Sequence, residues 1–296
     1  MEITAEKVKE LRDKTGAGMM DCKKALQDTE GDFEKAVDLL RQKGIAVAAK
    51  RESRIASEGI IVSHISCCGK TGALLELNCE TDFVARTDEF QALAAQIAAL
   101  VAANDFADAE SLGAAALGSG TVNDAVTEVM GKLGEKINIG RFVKYAVGEG
   151  NSAMGIISAY IHTGGKIGVM VEMNCESEAA IGNEDFQTLA KDIAMQVAWS
   201  NPGFISRDQI TADILERERK IYREWAVNEG KPEAAIPKIV EGKMESFYAE
   251  NCLMDLPFIR DADKSIAQLI NEMSEKIGEK ISIGRYVRLR VGESEQ

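Results

Sequence analysis

A chain of 296 residues, 45% hydrophobic and 28% charged, has the balance of a soluble globular protein and enough length for two domains of ordinary size. Its formal net charge of −13 offers no basic footprint for phosphate, which excludes direct nucleic-acid binding as the expected activity. Aromatic residues make up only 5%, so the core must be built from Ala, Val, Ile, Leu and Met.

The chain starts Met1-Glu2-Ile3-Thr4 without a basic or apolar leader, and no run approaches the ~18 apolar residues of a membrane span, so a cytoplasmic protein is expected. Residues 1–44 read as a three-helix domain. Thr4 caps a helix running to Lys14, Met19 to Asp28 form the second, and Asp32 opens a third that ends near Gly44. Forty-odd residues make a marginal core alone. Residues 45–56 follow as a helical linker, and its basic run, Lys50-Arg51-Glu52-Ser53-Arg54, is short and interrupted, as in a solvated helix end.

From Gly72 to Cys79 the sequence has the character of a half-buried strand, and Phe90, Leu93, Ile97 and Leu100 recur at helical spacing. Asn78 to Thr87 therefore connects a strand to a helix, yet it carries Phe83 beside Asp82 where polar turn residues would be expected. Upstream, Gly69-Lys70-Thr71 copies the end of a phosphate loop. The glycine such a loop needs five residues earlier is His64, and the stretch opens a strand, so it reads as a hairpin turn.

The chain repeats itself. Residues 59–98 align without a gap on 155–194 with about 17 of 40 positions identical, and "KLGEKINIGRFVKYAVGE" at 132–149 returns as "KIGEKISIGRYVRLRVGE" at 276–293. The expected fold class is α+β, with core subdomains at 57–150 and 151–296. The offset grows from 96 to 144 residues, so the second copy contains an insert of about 48, read as an antiparallel helical hairpin at about 210–250. Ile210, Ile214, Ile221 and Trp225 are spaced for one face, and Ile239, Val240, Met244, Phe247 and Tyr248 suit the returning helix. Such a hairpin either covers the core or meets a partner.

The repeat is an internal control on the connector. After the shared Asn-Cys-Glu, the first copy has Thr81-Asp82-Phe83-Val84 and the second Ser177-Glu178-Ala179-Ala180, so the scaffold does not need an aromatic there. Phe83 either staples onto the following helix, worth about 1.5–3 kcal/mol if fully buried, or stands exposed as a wedge for a partner's cleft; Ala179 favours the wedge. Enzymatic chemistry finds little support. His64 and His162 occupy unmatched strand-like positions, and no nucleophile, zinc or dinucleotide motif stands in context. The six cysteines have no C-x-x-C pair and no histidine at ligand spacing; they read as reduced thiols, and neither a metal nor another cofactor is expected.

Four stretches, "VKELRDKTGAGMMDCKKAL" at 8–26, "NCETDFVAR" at 78–86, "IAMQVAWSNP" at 193–202 and "GEKISIGRYVR" at 278–288, resemble the bacterial elongation factor Ts family along essentially the whole chain. The resemblance implies a guanine nucleotide exchange factor for elongation factor Tu that catalyses no covalent chemistry. It implies a ubiquitin-associated-like three-helix domain, a doubled core and a coiled-coil hairpin that some members lack. Thr81, Asp82, Phe83 and Val84 match the segment that dislodges Mg²⁺ from elongation factor Tu. Arg12, Met19 and Met20 match positions of the GTPase contact, although a helical domain also needs buried methionines. The implied assembly is a heterodimer or a 2:2 complex with elongation factor Tu, without nucleic acid or membrane.

Overall fold

A computed structural model describes residues 3–15, 17–51, 54–149 and 154–293. Helices form at the N-terminus where caps and breakers demand them. Helix α1 (Ala5–Thr15) follows Thr4, whose hydroxyl accepts from the Lys7 N–H (3.3 Å), and α2 spans Met19–Asp28. Asp32 accepts from the Lys35 N–H (3.1 Å) to open α3 (Phe33–Arg51). Helix α3 thus passes Gly44, where the sequence suggested an end. A single glycine costs a helix only about 1 kcal/mol relative to alanine, and the following Ile-Ala-Val-Ala-Ala-Lys-Arg contains good helix formers. Glu52 and Ser53 of the expected linker lie outside the described residues. Val8, Leu11, Cys22, Ala25, Leu26 and Ala36 form the small core of this unit.

Next come strands β1 (Glu58–Ile65) and β2 (Thr71–Cys79), a one-turn helix α4 (Asp82–Ala85), then α5 (Asp88–Ala103) and α6 (Ala109–Ala114). A two-residue pair, β3 (Ala116–Leu117) and β4 (Gly120–Thr121), precedes α7 (Val122–Leu133) and β5 (Ile137–Ala146). The next strands are β6 (Gly155–Ile161) and β7 (Ile167–Asn174), followed by α8 (Glu178–Ile181), α9 (Glu184–Ser200), α10 (Ala212–Asn228) and α11 (Ile236–Asn251). A second short pair, β8 (Pro257–Phe258) and β9 (Asp261–Ser265), leads into α12 (Ile266–Ile277) and β10 (Ser282–Arg290).

Two antiparallel three-stranded sheets result, ordered β1-β2-β5 and β6-β7-β10. In the first, Leu75, Leu77 and Cys79 pack with Phe90, Leu93 and Ile97 of α5; in the second, Val169, Val171 and Met173 pack with Phe186, Leu189 and Ile193 of α9. The opposite faces meet each other through Ile61, Leu74, Ile157, Met170 and Leu289. Strand β2 is accordingly buried on both faces, where the sequence suggested half burial. The bonds across this seam are reciprocal. The Ile61 N–H donates to the Gly165 carbonyl and the Ile157 N–H to the Gly69 carbonyl, both at 2.7 Å. Arg141 bonds Glu76 on its own sheet and the Arg290 carbonyl across the seam; Arg285 bonds Glu172 and the Ala146 carbonyl in the same way.

Helices α10 and α11 pack on each other, with Ala226, Ile236, Val240 and Met244 as their own cluster and Leu215 and Tyr222 against it. The packed face of α10 therefore lies one position from the face read in the sequence. Ile221 and Trp225 are exposed, the Trp225 ring holding the Lys243 ammonium 4.8 Å from its centroid. Fully buried Ala226 takes the inner position because a small side chain lets two helix backbones approach.

Burying a carboxylate demands a partner. The Arg285 Nε lies 2.7 Å from Glu172, whose side chain is wholly buried. Arg285→Met should destabilise the chain by about 3–5 kcal/mol, because it leaves that charge unpaired. The check is urea unfolding, where an unchanged midpoint would show that the pair is dispensable.

Candidate functional site

The site is the corner where β2 ends. Thr81 leaves the strand with extended backbone and caps α4, its hydroxyl accepting from the Val84 N–H (3.4 Å). Glu135 holds the same residue from the other side. Its carboxylate accepts from the Thr81 N–H (2.9 Å) and from the Thr81 hydroxyl (2.7 Å). Glu135 can do so because α7 stops at Gly134, a left-handed residue (φ 79°) that turns the chain back toward β5. Glu80 accepts from the Lys136 N–H (2.7 Å) and pairs with Arg54 at 3.1 Å, while the Thr87 hydroxyl donates to the Val84 carbonyl (2.8 Å) and caps α5. The Cys79 thiol donates to the Thr81 carbonyl (3.1 Å), and burial pushes its pKa up to about 11.

On this frame the one-turn helix divides its residues. Val84 and Ala85 turn inward onto the core below, whereas Phe83 stands 79% exposed. The half-buried Asp82 pairs with Arg86 one turn on (2.7 Å). Of the two arrangements the sequence allowed, stapling and exposure, Phe83 adopts exposure. Val84, grouped with the contact residues in the sequence reading, is a core residue that anchors the turn.

The aligned corner of the second sheet is built alike. Ser177 caps α8 through the Ala180 N–H (3.3 Å), and Glu279 accepts from the Glu176 and Ser177 N–H groups (each 3.1 Å). Hydrogen bonding from the Ser177 side chain, then from those N–H groups, holds the Glu279 carboxyl below its ordinary range. Exposed Ala179 stands where Phe83 does in the first. A shared frame with one aromatic removed separates the frame's structural role from the aromatic's.

Arg12, Met19 and Met20 lie on α1 and α2, in the three-helix unit and away from the corner in sequence. All three are exposed, Met20 at 76%, so neither methionine belongs to the core. His64 and His162 are exposed on or beside the hairpins, the latter meeting the Tyr160 hydroxyl at 3.1 Å. Among the described residues no group of three or more His, Cys, Asp or Glu is placed to hold a metal ion, and no helix is long and apolar enough to cross a membrane. Glu135 and Glu279 escaped the sequence reading, although the Gly-Glu-Lys shared by both copies of the second block was their trace.

The corner is thus held by the Thr81 cap and the Glu135 carboxylate while its aromatic ring faces solvent. The family model described as Elongation factor TS matches residues 80–293. Curated relatives named Elongation factor Ts include one from Clostridium perfringens strain 13, 46% identical over 292 residues that cover 98% of this chain and 93% of the relative. Those from Clostridium botulinum strain Eklund 17B and Clostridium novyi are each 44% identical with the same coverage. The chain belongs to the elongation factor Ts family: it is a nucleotide exchange factor of translation elongation and not an enzyme of covalent chemistry.

If Glu135 holds the corner, Glu135→Ala should speed amide hydrogen exchange over residues 81–86 by about tenfold or more, since bonds to a charged acceptor contribute about 1.5–3 kcal/mol each. Strand β2 should keep its protection. Equal exchange in both proteins would assign the pinning to other groups.

Proposed function

We propose that this chain binds elongation factor Tu in its GDP form and promotes GDP release by inserting the corner at 81–84 beside the nucleotide site, so that Mg²⁺ is dislodged and GTP can follow. The observation that carries this reading is Phe83, exposed on a helix whose neighbours are all tied down. Phe83 supplies the wedge, Asp82 competes for cationic or hydrogen-bonding groups of the partner, and Thr81 and Val84 hold the turn in shape. Losing the metal removes the charge that neutralises the diphosphate. Linkage sets the thermodynamics: a factor that prefers the nucleotide-free partner must weaken nucleotide binding by the same ratio, tenfold for every ~1.4 kcal/mol. Because the wedge acts on GDP and GTP forms alike, direction comes from an excess of GTP.

In the same reading, residues 1–44 are a ubiquitin-associated-like domain that docks through Arg12, Met19 and Met20, and 45–56 are a linker. Residues 57–150 and 151–296 are two copies of one α+β unit. Their common strand order and reciprocal seam bonds support the duplication, although its boundary at 150–151 lies outside the described residues. The helical pair at about 210–250 is the insert of the second copy, and its separate apolar cluster supports that view. The working assembly is a heterodimer or a 2:2 complex in the cytoplasm, and the net charge of −13 suits a partner that is protein rather than nucleic acid.

Stopped-flow release of fluorescent GDP from elongation factor Tu tests the wedge. The native chain should accelerate release, and Phe83→Ala should slow the accelerated rate by about tenfold or more, the scale of a hot-spot side chain, while complex formation persists. Binding without acceleration by the native chain would instead define a passive binding module.

Removing 210–250 should lower the exchange rate without abolishing it. A deletion variant that folds, by circular dichroism, and exchanges at the full rate would leave the helical pair without a part in exchange.

A further inference from the structure

The adjacent cysteines Cys67 and Cys68 serve neither the cores nor the corner at 81–84. They sit on the turn between β1 and β2, both exposed, whereas Cys22, Cys79, Cys175 and Cys252 are buried. The turn is well ordered by its own bonds. Ser66 donates its N–H to the Thr71 carbonyl (2.8 Å) and accepts from the Gly69 and Thr71 N–H groups, through its carbonyl (2.9 Å) and its hydroxyl (3.1 Å). The Gly69 carbonyl then takes the Ile157 N–H of the opposite sheet, which pins the turn to the seam. The Ser66 hydroxyl lies 3.4 Å from the Cys68 sulfur. Nothing in the fold requires two solvent-facing thiols side by side.

We propose that the Cys67-Cys68 turn is a thiol–disulfide exchange site for low-molecular-weight disulfides of the glutathione type, with Cys68 the attacking thiol and Cys67 the resolving one. Cys68, having lost its proton to water, attacks one sulfur of the small disulfide. That S–S bond breaks, one small thiolate leaves and takes up a proton, and Cys68 carries the other half as a mixed disulfide. Cys67, deprotonated in turn, attacks the Cys68 sulfur and expels the second small thiol. Two protein thiols are oxidised, one small disulfide is reduced to two thiols, and a Cys67–Cys68 bond closes.

The order of attack follows from the surroundings. Hydrogen bonding from Ser66, then from the Lys70 N–H, holds the Cys68 thiol below its ordinary range, while burial pushes those of Cys22, Cys79, Cys175 and Cys252 up. Thiolate character together with exposure selects the reactive cysteine. Neighbouring α-carbons stand about 3.8 Å apart, below the roughly 4.4–6.8 Å of ordinary disulfides, so the closed ring is strained and readily reduced. The product is a reversible mark rather than a structural bond.

The test treats the reduced, full-length chain with oxidised glutathione, with native free-thiol titration and mass spectrometry of the intact protein and of its peptides. The wild-type chain should lose two thiols and retain no glutathione once the excess is removed. Cys67→Ser should retain one glutathione on Cys68, and Cys68→Ser should lose its first thiol at least about tenfold more slowly. Both substitutions lie on an exposed turn, and thermal unfolding verifies that each variant is folded. Three results would overturn the proposal: Cys68→Ser oxidised at the wild-type rate, wild type holding glutathione as stably as Cys67→Ser, or modification of the buried cysteines in step with the turn.

Discussion

Two sheets with apolar side chains on both faces have nowhere to go but against each other, and that seam is what the rest of the molecule depends on. Each sheet covers one face with its own long helix, α5 or α9, and its other face stays exposed unless the second sheet closes it. Approach is close enough that a Cβ on Gly72 would sit 2.7 Å from an Ile157 methyl, and one on Gly168 would sit 2.4 Å from an Ile61 methyl. Larger residues there would hold the sheets apart and break the carbonyl-to-amide bonds that join Ile61 to Gly165 and Ile157 to Gly69. Strand β2 carries this seam on one face and ends at Cys79, just before the corner begins.

The seam also buries charge, at a cost in desolvation that only full pairing offsets. Glu76 is well supplied: Arg141 takes one carboxylate oxygen, and the Asn78 amide and the Gly292 N–H reach the other. Glu172 has Arg285 on one oxygen, but its Oε1 and the Asn174 Oδ1 are buried without a partner. Asn174 aligns with Asn78, whose amide donates to Glu76 at 2.9 Å. The aligned pairs thus share the arginine, while the first carboxylate also receives an amide donor and the Gly292 N–H that the second lacks.

Much of this was legible because local chemistry and tertiary packing agree. Thr4 and the Gly69-Lys70 turn punctuate the sequence where the chain turns, and the substitution of Phe83 by Ala179 between the two copies marks the aromatic from sequence alone. What stayed hidden depends on tertiary contact. The packed face of α10 lies one position from its most apolar side chains, Ile221 and Trp225, because the distance of closest helix approach selects Ala226. Helix α3 runs past Gly44 because one glycine does not stop a helix that good helix formers continue. The strands β3, β4 and β8 hold only two residues each, too few to show a period of two, and β9 is Asp-Ala-Asp-Lys-Ser, without a large apolar residue to mark one. Glu135 was missed because a carboxylate that grips a residue 54 positions away has no local signature.

That grip leaves the backbone under an exposed aromatic little freedom to lose. A side chain on a mobile loop would lose conformational freedom on insertion, and this loss would subtract from whatever it gained inside the cleft. Here the cap of Thr81, the Glu135 carboxylate and buried Val84 have already ordered the backbone during folding, leaving only the rotation of the Phe83 side chain to be restrained. The second corner keeps the carboxylate and the cap but presents Ala179, so the frame stands without the aromatic. An ordered backbone and an exposed phenylalanine thus coincide at one of two corners of like construction, an asymmetry that belongs to the side chain and not to the frame.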